Sequence, residues 1–224
     1  MIIDNFDKVI EHLDFISDLD RYVVHVLRRP KDCKNVANEF GSNETQRLIR
    51  TYYVESREYL RRKIPAIKEL CESCNARAYI IVSPKDNFEC LLNLGKKIFD
   101  TIQNRNYSVK PEHLLRQAYC EHHKSRKKTW ILDLDKDEMH GWTYLKVVHL
   151  VKKYVTECGK STKDIYITRT KHGCHIVTPP FNLQKAYEEC DMLFEGVENR
   201  MLKPTIVDDH TIKANYEKSS WLVT

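Results

Sequence analysis

The stretch that most constrains this chain is Trp130-Ile131-Leu132-Asp133-Leu134-Asp135. Side chains alternate along a strand, so Asp133 and Asp135 fall on one face and Leu134 on the other. Two carboxylates on one face repel each other unless a cation lies between them, and hard oxygen donors suit magnesium or manganese. The apolar residues ahead of them draw the strand into a core. The pattern predicts a strand anchored inside and ending at a metal site.

The 224 residues can bury a substantial core, and 42% hydrophobic with 31% charged residues fits a globular protein. No apolar run approaches the roughly 18–20 residues of a membrane helix. The start, Met1 to Asp7, has neither a basic segment nor a continuous apolar one, so no secretory signal is read there. The eight cysteines are dispersed. Reduced thiols in a cytoplasm, that of a host cell if the chain is phage-encoded, are the expectation. The net charge of +5 is concentrated in clusters: Arg28-Arg29-Pro30-Lys31, Arg57 to Lys63 (with Arg61 and Arg62), Lys124 to Lys128 (with Arg126 and Lys127), and Arg169 to His172. Clustered cations suit a phosphate backbone. Two of these clusters flank the strands that carry the candidate chemistry.

Periodicity supplies the frame. Helices are expected over 2–20 (capped by Asp4), 44–62, 64–74 (with Pro65 in its first turn), 86–105, from Pro111 to about 121, 143–158 and 183–194. Strands are expected over 22–27, 75–82 (closed by Ser83-Pro84), 130–135, 164–169, 175–178 and 205–207, with turns at Gly41-Ser42-Asn43 and Thr170 to Gly173. The late hairpin over 164–178 implies antiparallel pairing and favours an α+β fold over a doubly wound parallel sheet. The layout reads as an N-terminal α/β module, 1–115, and a catalytic module, 116–224, forming one unit. The tail beyond 207 is left without definite structure.

Three features of the second half share one chemistry. Asp133 and Asp135 form the first. The turn Thr170-Lys171-His172-Gly173 leads through Cys174 to His175: Lys171 and His172 can meet phosphate, His175 can hydrogen-bond it, and Gly173 permits a close approach. Ile206-Val207-Asp208-Asp209 is the third, an apolar pair running into acids. Together they resemble the archaeo-eukaryotic primase superfamily, the primase-polymerases, in a small phage-type form. That family carries an hhhDhD/E strand, a small-x-His strand and a later hydrophobic-Asp strand, in this order. Here they correspond to Trp130–Asp135, Gly173-Cys174-His175, and Val207 with Asp208 or Asp209. The turn lacks the family's usual arginine, and no helicase or clear zinc-binding domain is read in these 224 residues.

The resemblance implies a primase-polymerase-like fold, with an antiparallel-sheet catalytic module packed with helices. It implies a DNA primase or polymerase acting in replication, which transfers NMP or dNMP from nucleoside triphosphates to a primer 3′-OH on a DNA template. It also implies two magnesium or manganese ions on Asp133, Asp135 and Asp208 or Asp209. Arg169, Thr170, Lys171, His172 and His175 would hold the nucleotide. Arg28, Arg29, Lys31, Arg61, Arg62, Arg77, Arg126, Lys127 and Lys128 would follow the nucleic acid, with a helicase or other replication protein as partner.

Other readings stand beside this one. An hhhDhD strand also opens phosphohydrolases of the haloacid dehalogenase type, whose first aspartate is a nucleophile; Thr168, Lys203 and Asp208-Asp209 imitate their later motifs. A non-catalytic nucleic-acid-binding protein with the primase fold is a third reading, and two aspartates facing solvent on an edge strand a fourth. Cys71-x-x-Cys74 with Cys120, His122 and His123 has imperfect zinc spacing, and Cys71 and Cys74 fit the apolar face of their helix, so packing is the expected role. Tyr52, Tyr53 and Tyr59 are expected to pack rather than stack on bases. Arg77, inside a strand, needs an ion-pair partner or a ligand.

Overall fold

A computed structural model describes residues 4–28, 47–121, 127–135, 141–169, 173–193, 205–208, 211–213 and 220–223. Among them are six α-helices and nine strands, a mixed α+β architecture with antiparallel sheets. The chain divides into two compact units: residues Leu13–Lys127, and a discontinuous unit of Met1–His12 with Lys128–Thr224. The sequence suggested a single cut near 115. The division instead assigns the first helix to the later unit, and the join falls in the basic stretch before Trp130.

In the middle unit, β1 (Asp20–Arg28) pairs antiparallel with β2 (Arg47–Val54) on one side and with β3 (Arg77–Asp86) on the other. Helix α2 (Arg57–Ser73) buries Leu60, Ile67 and Cys71. Helices α3 (Asn87–Gln103) and α4 (Pro111–Cys120) supply Cys90 and Tyr119, which form a small cluster with Val23. Asp86 caps α3 by accepting from the amides of Phe88 and Glu89, and the Tyr119 hydroxyl donates to the Asn87 side chain.

Several expectations fail here for identifiable reasons. Residues 47–54 are a strand, not part of a helix. Thr51-Tyr52-Tyr53-Val54 is β-branched and aromatic, and pairing with β1 decides its state. Tyr52 is therefore buried and Tyr53 packs on Tyr119, as packing residues. The first helix, α1, covers only Phe6–His12, with Asp4 accepting from the Phe6 amide at 3.1 Å. Beyond it, the buried Asp20 carboxylate accepts from the amides of Ile16 and Ser17, which makes a turn where apolar spacing suggested more helix. Strand β3 runs past Ser83-Pro84 to Asp86. Its register with β1 jumps from Arg21↔Lys85 to Val23↔Ile81, and this bulge accommodates a proline that has no amide to donate.

Pro65 lies inside α2, not in the first turn of a new helix. Ser56 caps α2 by accepting from the Tyr59 amide at 3.0 Å, and the buried face continues through the proline. Interior proline costs a helix about 3 kcal/mol and loses one backbone hydrogen bond. Pro65 is exposed, so nothing packs on its ring from the core side. Pro65→Ala restores an amide that can donate to the Arg61 carbonyl. It is expected to stabilise the protein by about 2 kcal/mol after the unfolded-state advantage of proline is subtracted, read as a raised midpoint in thermal denaturation. An unchanged or lowered midpoint would contradict this account of α2.

In the discontinuous unit, β4 (Trp130–Asp135), β5 (Tyr166–Arg169) and β6 (Gly173–Thr178) form an antiparallel sheet in the order β4-β6-β5. Helix α5 (Gly141–Glu157) presents Val147, Leu150, Val151, Tyr154 and Val155, spaced i, i+3, i+4, i+7, i+8, and α6 (Leu183–Leu193) adds Ala186. With Ile176 and Phe181 these make the core of the unit. After α5 comes Gly159 at φ +68, with the Lys160 amide donating back to the Val155 carbonyl at 3.1 Å, a left-handed helix end that suits glycine. The segments 205–208 and 211–213 form a hairpin, β7 (Thr205–Asp208) with β8 (Thr211–Lys213), and β9 is Ser220–Val223, so the tail holds strands that the sequence reading left undefined. The turn read at Gly41–Asn43 lies outside the described residues. Among the described residues no helix is long and apolar enough to cross a membrane.

Candidate functional site

The β4-β6-β5 sheet has two different faces. Trp130, Leu132, Ile167, Cys174 and Ile176 belong to the α5/α6 core. Alternation then assigns positions 131, 133 and 135 of β4, 166 and 168 of β5, and 173, 175 and 177 of β6 to the other face. The register orders these positions into rows. Ile131, Val177 and Tyr166 make the first. Asp133, His175 and Thr168 make the second. Asp135 stands opposite Gly173 in the third.

The first row is apolar and is anchored by α1, whose His12 ring stacks parallel on Tyr166 at 3.8 Å. Asn5, just before α1, donates from its side chain to the Arg169 carbonyl at 2.6 Å, which fixes the end of β5. The second row is polar. His175 is 1% exposed and Thr168 fully buried, so an imidazole and a hydroxyl sit inside at the level of Asp133. The Thr168 Oγ1 finds no hydrogen-bond partner among the described residues. In the third row glycine leaves the position opposite Asp135 without a side chain. Cys174, between Gly173 and His175, packs into the α5/α6 core on the opposite face.

The two separately noticed sequence motifs therefore share consecutive rows of one sheet. Thr168 joins them; in the sequence it stands out only as an imitation of a phosphatase motif. The strand period through Tyr166 and Thr168 carried that signal. Asp208 is not joined to these rows by strand pairing. It closes the β7–β8 hairpin opposite Thr211. Asp209 and the turn residues Thr170, Lys171 and His172 lie outside the described residues, while Arg169 is exposed at the end of β5.

The basic residues divide between the units. Arg61 and Arg62 are exposed on α2, where Arg61 lies 3.5 Å from Glu58, an i,i+3 surface pair worth a few tenths of a kcal/mol, about 0.3. Arg28 ends β1 opposite Arg47. Lys127 is 3.4 Å from Asp14, and Lys128 is exposed. Arg77 is buried in β3, as a charged residue in a central strand requires a compensating environment. Arg29, Lys31 and Arg126 lie outside the described residues.

No three His, Cys, Asp or Glu side chains converge as a metal set among those described. The carboxylates of Asp133 and Asp135 are not among those described. Their donor chemistry, paired hard oxygens at successive same-face positions, fits magnesium or manganese. Cys71 is a packing residue of α2. Burial pushes its thiol up to about 11, which disfavours the thiolate a zinc ion takes. Cys74 is half-buried and Cys120 exposed, while His122, His123, His140 and His210 lie outside the described residues and His149 is exposed. No protein-family model, curated protein or solved structure matches the chain.

Proposed function

We propose that this chain is a primase-polymerase-like nucleotidyltransferase, transferring NMP or dNMP from a nucleoside triphosphate to a primer 3′-OH on a DNA template. The observation that carries the reading is the β4–β6 register. It sets Asp133 opposite His175 and Asp135 opposite Gly173, so an hhhDhD strand and a small-x-His strand meet side by side in an antiparallel sheet.

In this reading Asp133 and Asp135 hold two magnesium or manganese ions, with Asp208 or Asp209 as the third carboxylate. The ions, when bound, lower the pKa of the attacking hydroxyl and neutralise charge on the leaving pyrophosphate. His175 hydrogen-bonds the triphosphate from the middle of the polar row, opposite Asp133. Arg169, Thr170, Lys171 and His172 bind the remaining phosphate oxygens. The absence of a side chain at Gly173 suits close approach of the nucleotide to the sheet. Arg28, Arg61, Arg62 and Lys128 follow the nucleic-acid backbone as salt-sensitive contacts, and a helicase or another replication protein is the natural partner.

Extension of a labelled primer on a DNA template tests this. The expected result is template-directed incorporation that requires manganese or magnesium and ceases on chelation. Hydrolysis of small phosphoesters without incorporation, or salt-sensitive DNA binding with no turnover, would overturn it.

A further inference from the structure

Helix α3 is apolar on the side that faces solvent. Its inner face is held by Cys90, fully buried beside Val23 and Tyr119, by Asn93 donating to the Ala118 carbonyl, and by Lys97 paired with Glu121 at 2.7 Å. On the outer face Phe88, Leu91, Leu92, Ile98, Phe99 and Ile102 are each between 42% and 66% exposed. Single exposed apolar residues are ordinary, but a contiguous stripe over four turns of one helix marks an interaction surface.

The stripe is symmetric about Gly95. Leu92 and Ile98 stand three residues to either side of it, Leu91 and Phe99 four, and Phe88 and Ile102 seven. At about 100° per residue, these offsets put all six within about 60° of the Gly95 direction. Read in either direction, the helix presents the same pattern. A twofold interface requires such self-complementarity, because each patch must meet its own copy reversed.

Gly95 supplies the second observation. Glycine within a helix is destabilising relative to alanine. A Cβ built there meets no atom within 4 Å, so nothing in the described chain requires its absence. A second helix crossing closely at that point would require it.

We propose that α3 is a homodimer interface, with a second copy of this chain packed antiparallel across a twofold axis through Gly95. Leu91 of one protomer then meets Phe99 of its partner, and the two glycines face each other at the crossing.

Sedimentation equilibrium of the full chain tests this. The mass is expected to rise with concentration from 26.6 kDa to twice that value. Gly95→Leu adds apolar surface but blocks the crossing, and is expected to weaken dimerisation about ten-fold or more. Leu91→Lys and Phe99→Glu should each give monomers, and mixing the two variants should restore a dimer through the new charge pair. All three positions are exposed, so retained cooperative thermal unfolding serves as the folding control, with the Gly95→Leu midpoint no lower than that of the monomeric unmodified protein. Monomer throughout the micromolar range, a dimer indifferent to Gly95→Leu, or no heterodimer in the mixture would each overturn the proposal. So would flotation of a monomeric chain with phosphatidylcholine vesicles that Gly95→Leu strengthens, since a lipid surface gains from added apolar area.

Discussion

Asp133→Asn is expected to lower nucleotide incorporation about a thousand-fold, which corresponds to about 4 kcal/mol of barrier. The substitution keeps the size and the backbone pairing with His175 but removes the charge that, in the proposed function, would hold a divalent ion. Asn at this position still hydrogen-bonds, so a general polar requirement would be met while the metal requirement would not. Primer-extension rates at saturating manganese measure the effect, with DNA binding as the control that should change little. Incorporation within about three-fold of the unmodified protein would remove Asp133 from the chemistry. Asp135→Asn should behave alike. His175→Gln, which leaves both aspartates in place, should act chiefly through weaker triphosphate binding and raise KM.

A second large effect concerns stability against pH, and it arises in the other unit. His25 lies on β1, its Nδ1 3.0 Å from the Thr51 hydroxyl. Burial, reinforced by the nearby Arg116 guanidinium, lowers its pKa from 6.5 to about 4. The fold therefore favours the neutral imidazole. The stability this confers is fully present above about 6.5, where both states are neutral. As pH falls from 6.5 towards 4 the unfolded chain takes up the proton first, and stability drops. The loss attributable to His25 is about 3 kcal/mol by the time pH falls below the folded value. His25→Gln keeps a side-chain hydrogen-bonding group for the Thr51 hydroxyl and cannot titrate. Between pH 7 and pH 4 the unmodified protein should lose about 3 kcal/mol more than this variant in urea denaturation. Equal losses would show that His25 is not held neutral by the fold.

The two units differ in how much of them the sequence disclosed. Trp130–Asp135 was legible because alternation of apolar and acidic residues is a local signal. So was α5, whose apolar residues recur at helical spacing and supply five of the eight buried residues of the cluster it forms with Ile176, Phe181 and Ala186. The strand 47–54 was not legible. Its arginines and leucine suit a helix equally well, and only pairing with β1, residues away in sequence, decides its state. Pro65 misled for the opposite reason. A strong local rule places proline at a helix start, but burial of Leu60 and Ile67 on either side holds one continuous helix through it.

The candidate site shows the same division. Each motif was readable alone, yet the opposition of Asp133 and His175 depends on sheet order and on where the hairpin turns. Thr168 enters the row through that same register. The third carboxylate that the proposed site calls for is the least legible element, because Asp208 closes a separate hairpin and no strand pairing among the described residues ties it to β4.

Diffraction from crystals of the protein soaked with manganese and a nucleoside triphosphate tests the central claim most directly. The expected result is anomalous density for manganese bound by Asp133, Asp135 and one of Asp208 or Asp209, with the triphosphate against His175. Manganese and triphosphate bound away from the β4–β6 rows, or no binding there at saturating concentrations, would contradict it.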